Sequence, residues 1–251
     1  MKTDRREHKI ISLLESRGEM TVNELSRVLD VSLSTLRKQL AVMQSKGLVI
    51  RTYGGVMPVN RVPDETFDSK LHKNMSEKRR IAVKARTMIN SVETISLGSG
   101  TTVFELSNLL ADIPHGIIYT NSMQAADYLA RCAGLEVHIC SGVIRSHTGT
   151  IIGNEAAAYF KQLPQVDYAF IGCDAIDSSG DVYSENMAVA LVEKTVLLNA
   201  KHKYILCDSS KIGKTAVAHI VNLRECDGIV TANLENGIAE NFKFLTEVIY
   251  A

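Results

Sequence analysis

Thr94-Ile95-Ser96-Leu97-Gly98-Ser99-Gly100-Thr101-Thr102 is the stretch from which the larger part of this chain is read. Four residues of β composition run into a turn of glycines and hydroxyl side chains, and Val103 to Leu110 then follow with helical spacing. The turn is not a Walker loop, since no lysine follows its second glycine, nor a dinucleotide fingerprint, since the third glycine is missing. It offers small residues at a helix N-terminus, where N–H groups and the positive end of the helix dipole attract phosphate. A plain structural turn is the alternative reading of the same residues.

Downstream, β runs at Gly116-Ile117-Ile118-Tyr119, Leu135 to Ile139, Tyr168 to Ile171 and Tyr204 to Cys207 alternate with helical stretches. Those helices are expected over Met123 to Cys132, Glu155 to Leu163 and Ala188 to Ala200. Strands apolar on both faces, alternating with helices, imply a mostly parallel sheet covered by helices. Such sheets bind ligands beyond the carboxyl ends of their strands, and polar residues gather there. Thr120-Asn121-Ser122 follow the second strand, Asp174 and Asp177 the fourth, and Asp208-Ser209-Ser210-Lys211 the fifth. Gly142 opens a loop-like stretch holding Arg145, Ser146, His147, Thr148 and Gly149, expected to be mobile. Arg145 there suits closure over a phosphate and a surface salt bridge equally.

Upstream, a helix is expected around Ser76 to Ile89, preceded by a linker over 58–75 with Pro58 and Pro63. The first 57 residues form a separate pattern. Ile10, Ile11, Leu13 and Leu14 fit one helical face. Thr21 with Glu24 three residues on is a capping box, opening a helix with Leu25, Val28 and Leu29 turned inward. Ser32 caps a third helix with Leu33, Leu36, Leu40 and Met43 as its apolar stripe, leaving Ser34, Thr35, Arg37, Lys38 and Gln39 to solvent or DNA. The β run Leu48 to Tyr53 and the turn Gly54-Gly55 into Val56-Met57 make a wing. Two helices across a tight turn and then a glycine-tipped wing describe a winged helix-turn-helix.

Charge supports that division. The whole chain sums to zero, but residues 1–60 hold ten Lys/Arg against six Asp/Glu, and between Val31 and Pro63 there are five basic residues and no acidic one. A local basic stretch is what a DNA-facing element needs. The five cysteines show neither CxxC pairs nor ligand spacing, so reduced thiols are expected and no metal site. No apolar run is long enough to span a membrane, and a cytoplasmic protein without a membrane partner is expected.

Val31 to Leu40, followed by Gly47-Leu48-Val49-Ile50-Arg51-Thr52-Tyr53-Gly54-Gly55, resembles the DeoR family of bacterial repressors, with Gln39 where the family usually has Asp. The second half resembles that family's sensor domain through Ser99 to Thr102, Thr120 to Ser122, Phe170-Ile171-Gly172 and Asp208 to Lys211. The resemblance implies an N-terminal winged helix-turn-helix (1–57) and an α/β sensing and oligomerisation domain (76–251) similar to ribose-5-phosphate isomerase. It further implies double-stranded operator DNA as a partner, a phosphorylated sugar or polyol as effector, a homo-oligomer, and repression of a carbohydrate uptake or catabolic operon, with no cofactor.

Two rival readings remain. An active isomerase has a D-G-A-D segment, a loop lysine and a Glu-Lys pair. Here Ile171-Gly172-Cys173-Asp174 lacks the first acid, Ser184 stands at the lysine position, and only Glu193-Lys194 matches, so isomerisation is expected to fail while binding survives. A constitutive DNA binder with a purely oligomerising α/β domain would leave the polar strand ends without purpose. The expected DNA-binding residues are Ser32, Ser34, Thr35, Arg37, Lys38, Arg51 and Tyr53. The expected effector-binding residues are Ser99, Gly100, Thr101, Thr102, Asn121, Ser122, Arg145, Asp174 and Lys211, with no catalytic residue.

Overall fold

A computed structural model describes residues 2–17, 20–45, 48–51, 55–58, 65–89, 94–232 and 241–251. The chain divides into two compact units, Met1–Asp64 and Glu65–Ala251.

The first unit contains α1 (Lys2–Arg17), β1 (Met20–Thr21), α2 (Val22–Leu29), α3 (Leu33–Ser45), β2 (Val49–Arg51) and β3 (Gly55–Pro58). The capping box forms: the Thr21 hydroxyl accepts the Glu24 amide at 3.1 Å, and the Glu24 carboxylate accepts the Thr21 amide at 2.7 Å. Asp30, left-handed at φ 52°, ends α2 and turns the chain toward α3. The three strands pair antiparallel in the order β1-β3-β2, with Met20 and Arg51 both opposite Val56. Ile10, Leu14, Leu25, Leu36, Leu40 and Met43 pack with Met20, Val49 and Val56 beneath them.

Three side chains depart from the expected stripes. Val28 is 47% exposed: at about 100° per residue, Val22, Leu25 and Leu29 span one narrow sector and Val28 falls about 90° from its middle. Leu33, the first residue of α3, is also exposed. The stripe is completed instead by Gln39, buried and accepting a hydrogen bond from Arg6 of α1 at 3.4 Å.

The second unit starts inside the stretch expected as a linker, with α4 (Phe67–His72) and α5 (Met75–Thr87). Thr66 caps α4, and the buried Phe67 ring meets Phe104 edge-on at 5.3 Å. This aromatic contact, the bond from the Phe67 amide to the His147 carbonyl and the Lys70–Asp174 ion pair order a run whose composition is that of a connector. The chain continues β4 (Thr94–Leu97), α6 (Thr101–Leu109), β5 (Gly116–Thr120), α7 (Met123–Leu129), β6 (Leu135–Ile139), β7 (Val143–Ile144), β8 (Ile151–Ile152) and α8 (Asn154–Gln162). After these come β9 (Val166–Gly172), β10 (Ala175–Ile176), β11 (Asp181–Ser184), α9 (Met187–Leu198), β12 (Ala200–Cys207), β13 (Ala218–Asn222), β14 (Gly228–Thr231) and β15 (Glu247–Tyr250).

Seven strands form one wholly parallel sheet in the order β15-β14-β12-β9-β4-β5-β6. Alternation along the strands feeds two cores. Ile171 and Ile205 join Phe160 of α8 and Val192 and Val196 of α9 on one face; Phe170 and Leu206 join Ile81 of α5 and Leu106 of α6 on the other. The loop expected to be mobile is instead the antiparallel hairpin β7–β8, with Arg145 in its turn. A small antiparallel sheet, β10-β11-β13, adds a second layer of pairing.

Leu40→Ala empties a fully buried site at the centre of the first unit and is expected to lower that unit's stability by about 2–5 kcal/mol. Denaturant titration followed by a probe placed in the first unit reads the change, and a shift under 1 kcal/mol would contradict this packing.

Candidate functional site

In the sheet order, β4 lies between β9 and β5, and the chain leaves it toward β5 and β6 before returning to β9. Ligands of open parallel sheets bind at such a switch, beyond the carboxyl ends. A cleft of about 140 Å³ opens there. Of the expected effector residues, Ser99, Gly100, Thr101, Thr102, Arg145, Asp174 and Lys211 line it.

Gly98, Ser99 and Gly100 carry the chain from β4 into α6. Gly100 is the residue before the first helical turn at φ 107°, a conformation that favours glycine, and a Cβ there would meet nothing within 4 Å, so the backbone lies open to a ligand. The first-turn amides of α6 lack intrahelical acceptors by the geometry of a helix. Ser99 is committed elsewhere: its amide and hydroxyl donate to Oε1 of Glu193 at 2.9 and 2.7 Å. Asn121 and Ser122 are not among the cleft-lining residues but lie buried. Asn121 Nδ2 donates to the same Glu193 oxygen at 3.3 Å, and the Ser122 hydroxyl accepts the Ala125 amide at 3.3 Å, capping α7.

The basic side of the cleft extends beyond the residues expected from sequence. Besides Lys211 and Arg145 it includes Lys70 and Lys73 of the α4 region and Lys78 of α5, all in or beside the supposed linker. Lys70 reaches Asp174 at 3.0 Å and Glu185 at 3.6 Å. Burial pulls its pKa down, but these carboxylates outweigh burial and raise it. Asp174 mirrors this: burial pushes its pKa up, yet the Lys70 ammonium, the Glu185 amide and Lys211 together hold it below the usual range. Lys78 is 4% exposed and donates to the carbonyl of Lys70. Burial pushes its pKa down and Lys211 adds to that, with Asp208 opposing. Asp208 is itself held by Asn74 at 3.0 Å and by the Ser210 amide at 3.1 Å. Contacts from α4 and α5 carry no motif, so only the fold reveals them.

On the first unit, Ser34, Thr35, Arg37 and Lys38 are exposed along α3, Ser32 is exposed just before it, and Arg51 is exposed on β2. The Ser32 hydroxyl donates to Thr35 Oγ1 at 2.9 Å, so the helix start is already ordered. Tyr53 lies outside the described residues. Among the described residues, no helix is long and apolar enough to cross a membrane, and no group of three or more His, Cys, Asp or Glu is placed to hold a metal. All five cysteines are free thiols.

A winged helix-turn-helix joined to a parallel α/β domain with a ligand-sized basic cleft defines a DNA-binding regulator that carries its own sensor. Residues 6–62 match the DeoR-like helix-turn-helix domain and residues 73–233 the DeoR C terminal sensor domain. The HTH-type transcriptional repressor CsqR of Escherichia coli (strain K12) is 30% identical over 229 residues, covering 91% of this chain and 87% of that protein. The glycerol-3-phosphate regulon repressor of the same organism is 27% identical over 232 residues, 92% of this chain and 91% of that protein. The chain belongs to the DeoR family of transcriptional regulators and is not an enzyme. Among solved structures, a D-ribose-5-phosphate isomerase in complex with phospho-erythronic acid covers 55% of this chain and 54% of its own at 21% identity and a TM-score of 0.41, a distant likeness of fold.

Because the folded-state pKa of Asp174 is depressed, its ion pair contributes stability above the unfolded-state pKa, near 3.9, and loses it as pH falls through the folded value. The stability gap between the wild type and Asp174→Asn, measured by urea denaturation, is expected to be full at pH 7 and to shrink below pH 4. An equal gap at pH 7 and pH 3 would exclude the ion pair as its source.

Proposed function

We propose that this regulator represses a carbohydrate uptake or catabolic operon as a homo-oligomer, and that a phosphorylated sugar or polyol in the cleft releases it from operator DNA. The cleft carries this reading: the α6 N-terminus at Gly100, Thr101 and Thr102 shares one cavity with Lys78, Lys211 and Arg145. Backbone amides and a helix dipole on one side and ammonium groups on the other suit a phosphate better than a neutral sugar. The relative named for a glycerol-3-phosphate regulon supports an effector of this class.

In this reading Gly100, Thr101 and Thr102 hold the phosphate and Lys211 and Lys78 neutralise it. Ser99 and Asn121 shape the floor through Glu193, Ser122 fixes the helix beside it, Arg145 closes the rim and Asp174 takes sugar hydroxyls. Effector binding acts on DNA affinity only insofar as the effector prefers one oligomer arrangement over another. On the DNA side, Ser34, Thr35 and Arg37 read base edges or adjacent phosphates from the α3 start that Ser32 caps, while Lys38, Arg51 and Tyr53 anchor to the backbone.

Lys38→Ala is expected to weaken all DNA sequences alike and to flatten the salt dependence of binding by about one unit. Affinity lost for one operator only, in a salt series by fluorescence anisotropy, would reassign Lys38 to base reading. For the cleft, a thermal-shift screen of the full chain against sugar phosphates, polyol phosphates and the matching free sugars is expected to give a shift of several degrees with a phosphate and none with its free sugar. Lys211→Ala should weaken the phosphate that binds by about tenfold or more, about 1.4 kcal/mol. Unchanged affinity would remove Lys211 from the site.

A further inference from the structure

Glu193 lines the cleft from α9 and is 2% exposed. Its two oxygens are unlike. Oε1 takes three donors, from the Ser99 amide, the Ser99 hydroxyl and Asn121. Oε2, equally buried, has no hydrogen-bond partner. A buried polar atom without a partner is costly, and native structures keep few of them. The backbone is nevertheless shaped to hold this one: a Cβ at Gly98 would stand 2.0 Å from Oε2, so only glycine fits beside it.

Burial pushes the Glu193 carboxyl up to about 7, against the pull of the Ser99 and Asn121 hydrogen bonds, and the charge of Asp174 adds to the rise. The other titratable groups around the cleft are Lys70, Lys73, Lys78, Lys211 and Arg145, with Glu65, Asp208 and Cys173. Cys140, after β6, interacts with Glu193 and stays a neutral thiol, pushed up to about 12 by burial. With Oε1 saturated by donors, a proton on this carboxyl sits on Oε2.

We propose that Oε2 of Glu193 is a further effector-binding atom, which as the protonated acid donates to an oxygen on the organic part of the phosphorylated ligand, so that effector binding takes up a proton from solvent. This rests on the cleft being a sugar- or polyol-phosphate site. A phosphate dianion held at Gly100 to Thr102 adds negative charge close to Ser99 and its carboxylate partner, which favours the neutral acid. The neutral carboxyl keeps Oε1 as acceptor for Ser99 and Asn121 and turns Oε2 into a donor. Its acceptor is a hydroxyl, ether or carbonyl oxygen, which inorganic phosphate alone does not bring.

Isothermal titration calorimetry of the full chain at pH 7.5 tests this with glycerol 3-phosphate, ribose 5-phosphate, glucose 6-phosphate and inorganic phosphate, each in buffers of different ionisation enthalpy. Above pH 7 the phosphate is already mostly dianionic, its second pKa being near 6, so its own proton contributes little. The wild type is expected to take up a substantial fraction of one proton per ligand bound. Glu193→Gln, which keeps an acceptor and supplies a permanent donor, should bind without that uptake. Equal uptake by both proteins overturns the proposal and leaves the cleft reading standing; no binding by any of the four probes overturns both. If the variant does not fold, the wild type decides: affinity is expected to fall several-fold between pH 7 and 8.5, by up to tenfold per unit, and an affinity indifferent to pH overturns the proposal.

Discussion

β4 and β9 lie side by side at the middle of the large sheet, but the chain reaches β9 only after running out through β5 and β6 and back. Elements that follow neighbouring strands on either side of such a reversal diverge, and the carboxyl ends between them stay uncovered. The rest of the sensor unit is arranged around that gap. The Gly98 amide donates to the Phe170 carbonyl at 2.9 Å, which ties the end of β4 to β9 just where the chain turns into α6. Gly172 at the end of β9 lies against that turn, a Cβ on it standing at ordinary contact distance, 3.4 Å, from the Ser99 carbonyl. Close approach of two backbones thus fixes where the first-turn amides of α6 point. The ammonium groups from α4, α5 and the Ser209–Lys211 turn then have a defined target.

Those cations are not equivalent. Lys70 faces two carboxylates, which hold its charge in place and spend most of it. Lys73 is likewise paired, with Glu65. Lys78, more deeply buried, has a carbonyl as its hydrogen-bond partner, and burial disfavours its charged form. An arriving anion relieves that cost at Lys78 far more than at Lys70, because the free energy of an ion pair depends on what each charge already has. The lysines of the cleft therefore differ: Lys70 ties α4 to the end of β9, Lys73 pairs within its own segment, and Lys78 keeps a charge that an anion would relieve. Lys211, which lowers the pKa of both Asp174 and Lys78, acts on both groups.

Where the sequence could be read, local chemistry agreed with tertiary need. Thr21 and Glu24 form their box because both partners lie within one turn. The strand ends at Ser99 and Asp174 meet because parallel topology leaves them no alternative. What could not be read came from contacts distant in the chain. α4 hid in a polar run because its fixation depends on Phe104, 37 positions beyond Phe67. β11 and β13 carry Asp181, Ser184, His219 and Asn222, which interrupt the alternation that marks a strand, and these side chains are satisfied by one another or by Asp174 rather than by solvent alone. Asn121 stands at a strand end by position, and its buried bond to Glu193, 72 residues away, lies behind the cleft lining, a contact the sequence does not carry.

The cleft wall at Asp174 is built for fixed contacts rather than for proton transfer. Moving a proton between adjacent carbons needs a base aimed at the carbon and a group to stabilise the enediolate. Ile171, near the end of β9, is fully buried in the α8–α9 core and offers the cleft no polar group. Ser184 donates to Asp174 at 3.1 Å and joins Lys70 and the Glu185 amide in holding that carboxylate. A carboxylate with three donors and a depressed pKa is a poor base but a well-fixed hydrogen-bond acceptor. The contacts that lower its basicity thus also fix the wall of the cleft, and a fixed wall lowers the entropy cost of whatever binds against it.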